Sequence, residues 1–134
     1  MVDSGPLYAY VDADDRHHAA SLELLLTHPG PLIVPTLVVT EVVYLLETRL
    51  SPDAEVRFVG DLASGDLQVD PVAVSDWLRI AELVHRYRDL PLGTVDASVV
   101  VAAERLGVTT VATLDRRDFS VVRPSHCDHL DLLP

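Results

Sequence analysis

Residues 94–115, with the sequence TVDASVVVAAERLGVTTVATLD, combine a helical segment, a glycine stop and a β-branched segment. Thr94 is a candidate N-cap for a helix that continues to Leu106, and Gly107 stands where a glycine commonly ends a helix. Residues 109–114 are rich in threonine and valine, which favours a strand. A helix followed at once by a strand is typical of the crossover units of α/β proteins.

The same alternation of short apolar segments and longer helical segments extends along the rest of the chain. Strands are predicted at residues 1–3, 32–34 and 67–69, with a last one near Val121-Val122 or at 130–133. A helix is expected to begin at Ser4-Gly5-Pro6, and further helices are predicted over 14–27, 36–50, 52–63 and 73–87. Thr36 is the candidate N-cap of the helix over 36–50. The helix over 73–87 is amphipathic, and one face carries Trp77, Ile80, Ala81 and Val84. A loop is expected at 89–93. This order predicts one α/β domain over residues 1–134, built on a parallel sheet with helices on both faces.

The charge balance restricts the classes of ligand. The chain has 21 Asp and Glu against 10 Lys and Arg, all of them arginine, for a net charge of −11. Such a chain repels a polyanion unless a bound cation reverses the local field, so simple phosphate-backbone binding is a poor interpretation. Metal-dependent chemistry on nucleic acid stays compatible, because the charge of the ion must also be counted.

Other classes are excluded more simply. The single cysteine, Cys127, excludes an internal disulfide. No apolar segment reaches the roughly 18–20 residues of a membrane span, and the start lacks the features of a signal peptide. We therefore expect a soluble, cytoplasmic protein with no membrane contact.

Four carboxylates stand where α/β folds place their ligands, beyond the carboxyl ends of the strands. Asp3 and Asp115 directly follow predicted strands, and Asp96 lies in the first turn of the helix that Thr94 opens. Glu41 lies within an apolar helical segment, residues 37–46, where a desolvated carboxylate needs a partner. Together the four predict a divalent-metal site, because clustered carboxylates repel one another unless an oxygen-binding cation such as Mg²⁺ or Mn²⁺ joins them.

Each carboxylate also has an ordinary structural explanation. Asp3 suits a turn, Asp96 is favoured by the helix dipole, Glu41 suits a solvent-facing helix position, and Asp115 belongs to a charged run with Arg116, Arg117 and Asp118. Two histidine-containing stretches, at residues 17–18 and 125–129, have metal-ligand residue types. We expect neither to hold a metal, because adjacent helical residues do not share a face and the second stretch lacks further ligands.

At these carboxylates the chain resembles the PIN-domain ribonucleases, and within them the VapC toxins of bacterial toxin–antitoxin pairs. The matching segments are Val2-Asp3-Ser4, Thr40-Glu41-Val42, Val95-Asp96-Ala97-Ser98 and, most specific, residues 113–119, TLDRRDF. The resemblance covers essentially the whole chain. It implies a three-layer α/β/α fold around a parallel sheet, Mg²⁺- or Mn²⁺-dependent cleavage of RNA, a VapB-type antitoxin as partner, and a homodimer.

The resemblance also implies roles. Asp3 and Asp96 would bind the principal metal directly, whereas Glu41 and Asp115 would bind it through water, position a second ion or orient the attacking water. Arg116 and Arg117 would contact RNA phosphate or form structural salt bridges. The chain departs from the family at Gly5-Pro6, which leaves the start of the first helix open, and at Asp118, where many relatives have histidine.

Three other functions are alternatives to a PIN-domain ribonuclease. A phosphoacceptor receiver domain needs a lysine, which this chain lacks, and a haloacid-dehalogenase-type phosphatase needs a second acid two residues after Asp3, where Gly5 stands. The remaining alternative is a catalytically inactive PIN-like module that binds RNA or a partner. Retention of all four carboxylates argues for the enzyme.

Overall fold

The structure is a computed structural model that describes residues 1–90 and 92–134. Its helices and strands alternate in the order α1 (Ser4–Val11), α2 (His18–Thr27), β1 (Leu32–Pro35), α3 (Thr36–Arg49), α4 (Pro52–Ser64), β2 (Leu67–Asp70), α5 (Asp76–Arg86), α6 (Thr94–Leu106), β3 (Thr110–Ala112), α7 (Arg116–Val121) and β4 (Asp131–Leu133).

The N-terminal segment, residues 1–3, joins two pairs of parallel strands. Strand β1 pairs with β2, and β3 pairs with β4, both in parallel. On one side the Val2 amide donates to the Ile33 carbonyl at 2.8 Å, and on the other Val2 forms a parallel bridge with Ala112. The strands therefore lie in the order β2, β1, residues 1–3, β3, β4. The chain adds β1 and β2 on one side of residues 1–3 and later adds β3 and β4 on the other side. The carboxyl end of residues 1–3 is therefore a topological switch point.

The predicted α/β class and the parallel strand direction are both confirmed. Strands are present at the predicted positions except at residues 1–3, which form only an isolated bridge at Val2, and the last strand lies at Asp131–Leu133 rather than at Val121, which ends α7. The strand predicted at residues 109–114 is shorter, because only Thr110–Ala112 pair with β4. The predicted loop at 89–93 includes Pro91, which lies outside the described residues.

Four predicted helix starts were wrong, among them that of the helix predicted over 73–87, which begins at Asp76. The second helix begins at His18 instead of residue 14, because the Asp12 and Asp15 side chains accept hydrogen bonds from the Asp14 and His17 amides and hold the chain in turns. Thr36 and Thr94 are first helical residues and not N-caps, since Pro35 and Gly93 occupy those positions. The Thr36 hydroxyl instead donates to the Asp70 carbonyl at 3.0 Å, which ties the start of α3 to the end of β2.

The buried face of α5 also differs from the predicted one. Asp76, Ile80 and Leu83 are buried, whereas Trp77 is 49% exposed. Asp76 turns inward because it accepts hydrogen bonds from the Ala73 amide at 2.9 Å and from Arg105 Nε at 3.1 Å. This polar anchor fixes the rotation of the helix and leaves the tryptophan at the surface.

Helix α6 passes through the centre of the core. Its residues 97–103 are all buried, so the helix is covered on every side. Gly107 ends it in the left-handed conformation, φ 66°, as the sequence predicted. The buried residues of the chain form one hydrophobic cluster that includes Phe58 and Phe119. Within the described ranges, no helix is long and apolar enough to cross a membrane.

The short helix α7 should depend on Phe119 for its position. Phe119 is 1% exposed, and its replacement by alanine should lower the free energy of unfolding by about 3–5 kcal/mol. Val121 on the same helix is 46% exposed, so Val121→Ala should change it by no more than about 0.5 kcal/mol. Urea unfolding followed by circular dichroism measures both, and equal losses would contradict the assigned packing of α7.

Candidate functional site

Asp3 lies at the carboxyl end of the central segment, between β1 and β3. Its backbone amide donates to the Ala112 carbonyl at 2.9 Å, so the strand ladder fixes the position of the residue. The side chain is 4% exposed although it carries a carboxylate. Such burial of an acid is rare in folded proteins unless the acid has a partner.

Thr113 connects Asp3 to the chain that leads to Asp115. Its hydroxyl donates to Asp3 Oδ2 at 2.8 Å and accepts from the Asp115 amide at 3.0 Å, while its own amide donates to the Leu133 carbonyl at 2.8 Å. The side chain is 1% exposed. Thr113 is therefore a positioning residue for two of the four predicted carboxylates.

The second oxygen of Asp3, Oδ1, is buried and has no hydrogen-bond partner. Burial raises the pKa of Asp3 above its ordinary value against the lowering effects of the Thr113 hydroxyl and the nearby Ser4 backbone amide, and the negative charges of Glu41 and Asp115 raise it further. An unsatisfied buried oxygen is destabilising unless a cation or proton occupies its free side. Asp3 thus has an open coordination position facing a negatively charged environment.

Asp96 lies in the first turn of α6, where the Gly93 amide donates to its Oδ2 at 3.2 Å. Partial burial and the charge of Asp3 raise the pKa of Asp96 to about 6, and the charges of Glu41 and Asp118 add to this, while the hydrogen bond from Gly93 lowers it. Because Asp3 and Asp96 act on each other, both carboxylates belong to one electrostatic cluster.

The other two predicted carboxylates lie in more open positions. Glu41 is half-buried on α3, whose neighbouring residues Val38 and Val42 are fully buried. Asp115 is exposed and is the N-cap of α7, where its Oδ1 accepts from the Asp118 amide at 3.3 Å. The bound cap fixes Asp115 in place, which gives this residue a structural function beside any catalytic one.

The structure thus brings the other three predicted carboxylates, Glu41, Asp96 and Asp115, within electrostatic range of Asp3. The four do not form a closed cage. Within residues 1–90 and 92–134, no three His, Cys, Asp or Glu side chains come together in a group that could hold a metal ion. Like charges repel, so an arrangement of acids without a cation is expected to be open.

Two further residues at this site were not assigned functions from the sequence. Thr113 belongs to the motif TLDRRDF, and a polar residue directly after a strand is a signal for a hydrogen bond to a neighbouring strand end. Asp118 contributes negative charge to the environment of Asp96. Its place three residues after Asp115 allowed the capping contact to be predicted, but its approach to Asp96 depends on tertiary structure.

The two histidine-containing stretches and Cys127 make contacts with nearby backbone carbonyls. His18 Nδ1 lies 2.8 Å from the Ala9 carbonyl, and His126 Nε2 lies 2.8 Å from the Val108 carbonyl. Cys127 is half-buried, and its thiol donates to the His129 carbonyl at 3.1 Å. The prediction that neither histidine stretch binds a metal is untested by these contacts, which show only that ring nitrogens in both stretches face backbone carbonyls.

The PIN domain family matches residues 1–123, and the chain therefore belongs to the PIN-domain family.

Within that family the similarity is to VapC ribonucleases. The chain is 35% identical to ribonuclease VapC26 of Mycobacterium tuberculosis (strain ATCC 25618 / H37Rv), over 100% of this chain and 99% of that protein. Its fold matches the crystal structure of M. tuberculosis VapC20, a toxin that cleaves the sarcin–ricin loop, with a TM-score of 0.84, covering 99% of this chain and 98% of the other at 20% identity. The predicted family, fold class and ribonuclease function of the VapC kind are confirmed.

The Thr113 hydroxyl should contribute measurably to stability. Thr113→Val keeps the shape of the side chain but leaves Asp3 Oδ2 and the Asp115 amide without their partner, so the free energy of unfolding should fall by about 1–3 kcal/mol. Thr113→Ser retains the hydroxyl and is the matched control, with a smaller loss. Chemical denaturation measures both, and a valine variant as stable as the serine variant would refute the assigned hydrogen bonds.

Asp96 should make the metal-free protein less stable as pH rises. Its pKa of about 6 in the folded protein lies above its ordinary value of 3.8, so the folded state binds the proton more tightly and stability falls as pH rises between these values. Asp96→Asn keeps an oxygen for the Gly93 amide and removes the charge. In EDTA the variant should melt above the wild type at pH 7.5 and close to it at pH 4; a lower melting temperature at pH 7.5 would contradict this.

Proposed function

We propose that Asp3, Glu41, Asp96 and Asp115 bind Mg²⁺ or Mn²⁺ and that the chain hydrolyses RNA phosphodiester bonds as the toxin of a VapBC pair. The observation that carries the metal site is the buried, unpartnered Oδ1 of Asp3, which lies in the same electrostatic cluster as Asp96. A carboxylate oxygen is the ligand type that Mg²⁺ and Mn²⁺ prefer. The donor set therefore fits the proposed ions.

The role of each carboxylate would follow from how deeply it is buried. Asp3, fixed by the strand ladder and Thr113, and Asp96, fixed by the Gly93 amide, would provide direct ligands. Glu41 and Asp115 are more exposed and would orient water or a second ion. When bound, a divalent ion activates water and offsets the charge that develops on the phosphoryl group. The net hydrolysis would join the oxygen of a water molecule to phosphorus, break the bond from phosphorus to the 3′ oxygen and leave one proton of the water on that 3′ oxygen.

The acidic protein requires such an ion for this substrate. A net charge of −11 and a carboxylate cluster would repel RNA, and the two positive charges of a divalent ion reduce this repulsion where the phosphate must approach. Asp118 adds one more negative charge near Asp96. Asp118 thus makes this site more anionic, which favours binding of a cation.

A VapB-type antitoxin is the proposed protein partner, and a homodimer is the proposed assembly. The chain exposes apolar side chains near the start of α5, with Val74 92%, Leu78 72% and Trp77 49% exposed. A cluster of this kind at a surface is typical of a protein–protein contact.

RNA cleavage tests the enzyme. The purified, antitoxin-free chain should cut RNA with Mg²⁺ or Mn²⁺ and not with EDTA. Asp3→Asn and Asp96→Asn should each lower the rate by about 100-fold or more, the order found when one charge-stabilising group is removed. Asp53→Asn on α4 is the matched control, because Asp53 is exposed and takes no part in the carboxylate cluster. Cleavage that is equal in all four proteins would refute the proposal.

A melting experiment tests the metal independently of cleavage. A ligand that binds only the folded state raises stability by mass action, about 2.7 kcal/mol at a hundredfold excess over Kd. Millimolar Mg²⁺ should therefore raise the melting temperature of the wild type, and raise that of Asp96→Asn less. A Mg²⁺ effect without cleavage of any RNA would instead support the inactive, PIN-like binding module.

A further inference from the structure

Half of the chain's arginines lie in two short segments that lead into the carboxylate site. Arg86 ends α5 and Arg88 lies two residues beyond it, while Arg116, Arg117 and Arg123 lie on or just after α7. The first segment continues to Gly93, whose amide holds Asp96, and the second starts at Asp115. The arginines are thus close in the chain to the groups that fix the site.

A direct contact joins the two segments. The Arg123 amide donates to the Tyr87 hydroxyl at 3.0 Å, which places Arg123 beside the residue that Arg86 and Arg88 flank. Helix α7 has six residues and is about 9 Å long, and Arg123 lies two residues beyond its end, so the chain keeps this contact within roughly 16 Å of Asp115. The start of the helix lies against the site, because the Asp115 amide donates to the Thr113 hydroxyl, which itself donates to Asp3 Oδ2. We define the arginine flank as Arg86, Arg88 and Arg123.

The guanidinium groups of the flank are not used by acids of the protein. Within the described ranges, ion pairs between arginine and carboxylate involve only Arg79 and Arg105. Arg88 contacts the His85 ring at 3.4 Å, and Arg123 uses only Nη1, on the carbonyls of residues 120–122. The chain has 21 acidic residues, yet none of them pairs with these exposed arginines. Their N–H donors therefore remain available for an anion from outside the protein.

We propose that the arginine flank binds the phosphate backbone of RNA on one side of the bond that is cut. The inference rests on the proposed ribonuclease function and adds the direction from which the substrate enters. Guanidinium groups bind phosphate through paired N–H donors, and they do so without a metal. The flank therefore supplies the attraction that the carboxylates lack, and it holds the strand while the metal site acts on a neighbouring phosphate.

Binding of RNA to a non-cleaving protein tests the flank. In an Asp96→Asn background, Arg86→Gln with Arg88→Gln should weaken binding of a short, fluorescein-labelled single-stranded RNA at least about tenfold. The slope of log K against log salt should become shallower by about 1.4, since each lost phosphate contact contributes about 0.7 for a single strand. Fluorescence anisotropy between about 50 and 200 mM NaCl measures both quantities.

A matched control separates this effect from the change in net charge. Arg16→Gln with Arg57→Gln removes the same two charges from exposed positions outside the flank, and should leave the RNA affinity within about twofold. Equal weakening in both double variants would overturn the proposal, as would unchanged RNA binding after substitution of Arg86 and Arg88. Melting temperatures within about a degree of the parent exclude unfolding as the cause.

The proposal can fail separately from the ribonuclease function. With Asp96 intact, Arg86→Gln with Arg88→Gln should raise KM and leave kcat within about threefold, because the flank binds substrate and transition state alike. A loss of kcat at unchanged KM would overturn the flank while the nuclease stands. If the wild type binds RNA through the flank but does not cleave it with Mg²⁺ or Mn²⁺, the flank stands and the nuclease proposal fails.

Discussion

The backbone hydrogen bonds of residues 1–3 hold the two halves of this fold together. Val2 donates to Ile33 on one side, while Asp3 donates to Ala112 and the Ala112 amide donates to Met1 on the other. The Met1 amino group is also held, by the Thr110 carbonyl at 2.8 Å. Without these bonds, β1 with β2 and β3 with β4 would be two separate two-stranded sheets, each too small to be stable alone. The same bonds fix Asp3 between the two halves, so the stability of the sheet and the position of the candidate site have one origin.

The candidate site places carboxylates next to an otherwise apolar core. The core is apolar and continuous, and α6 is buried on every side, yet its first turn carries Asp96 and the central strand ends in a buried Asp3. Burial raises the pKa of both carboxylates, which means that their charged forms are less stable there than in water. Such a local cost is common at functional sites, where activity requires groups that the fold alone would not favour. The unpartnered Oδ1 of Asp3 is the clearest instance, because a protein selected for stability alone would satisfy or remove it.

Local sequence patterns predicted much of this fold but little of its fine geometry. The end of α6 at Gly107 followed from local chemistry, and it is present. The orientation of Trp77 could not be predicted, because it depends on Asp76 pairing with Arg105, a residue 29 positions away. Asp3, Asp96 and Asp115 could be proposed from their places at strand ends and a helix start, and Glu41 from its apolar helical surroundings. The hydrogen bonds of Thr113 to Asp3 and Asp115, and the approach of Asp118 to Asp96, required the tertiary structure.

The contact between Asp3 and Thr113 has a consequence for the biosynthesis of the chain. The two residues are 110 positions apart, so the site is complete only when two distant segments of the chain meet. Contacts of such long sequence separation form late in folding, since the cost of closing the intervening loop must be met first. A nascent chain on the ribosome that already has Asp3 therefore lacks the hydroxyl that fixes it, and it remains without an assembled site until the segment with Thr113 has been added and packed. For a nuclease that is made beside the RNA of its own translation apparatus, this delay separates synthesis from activity.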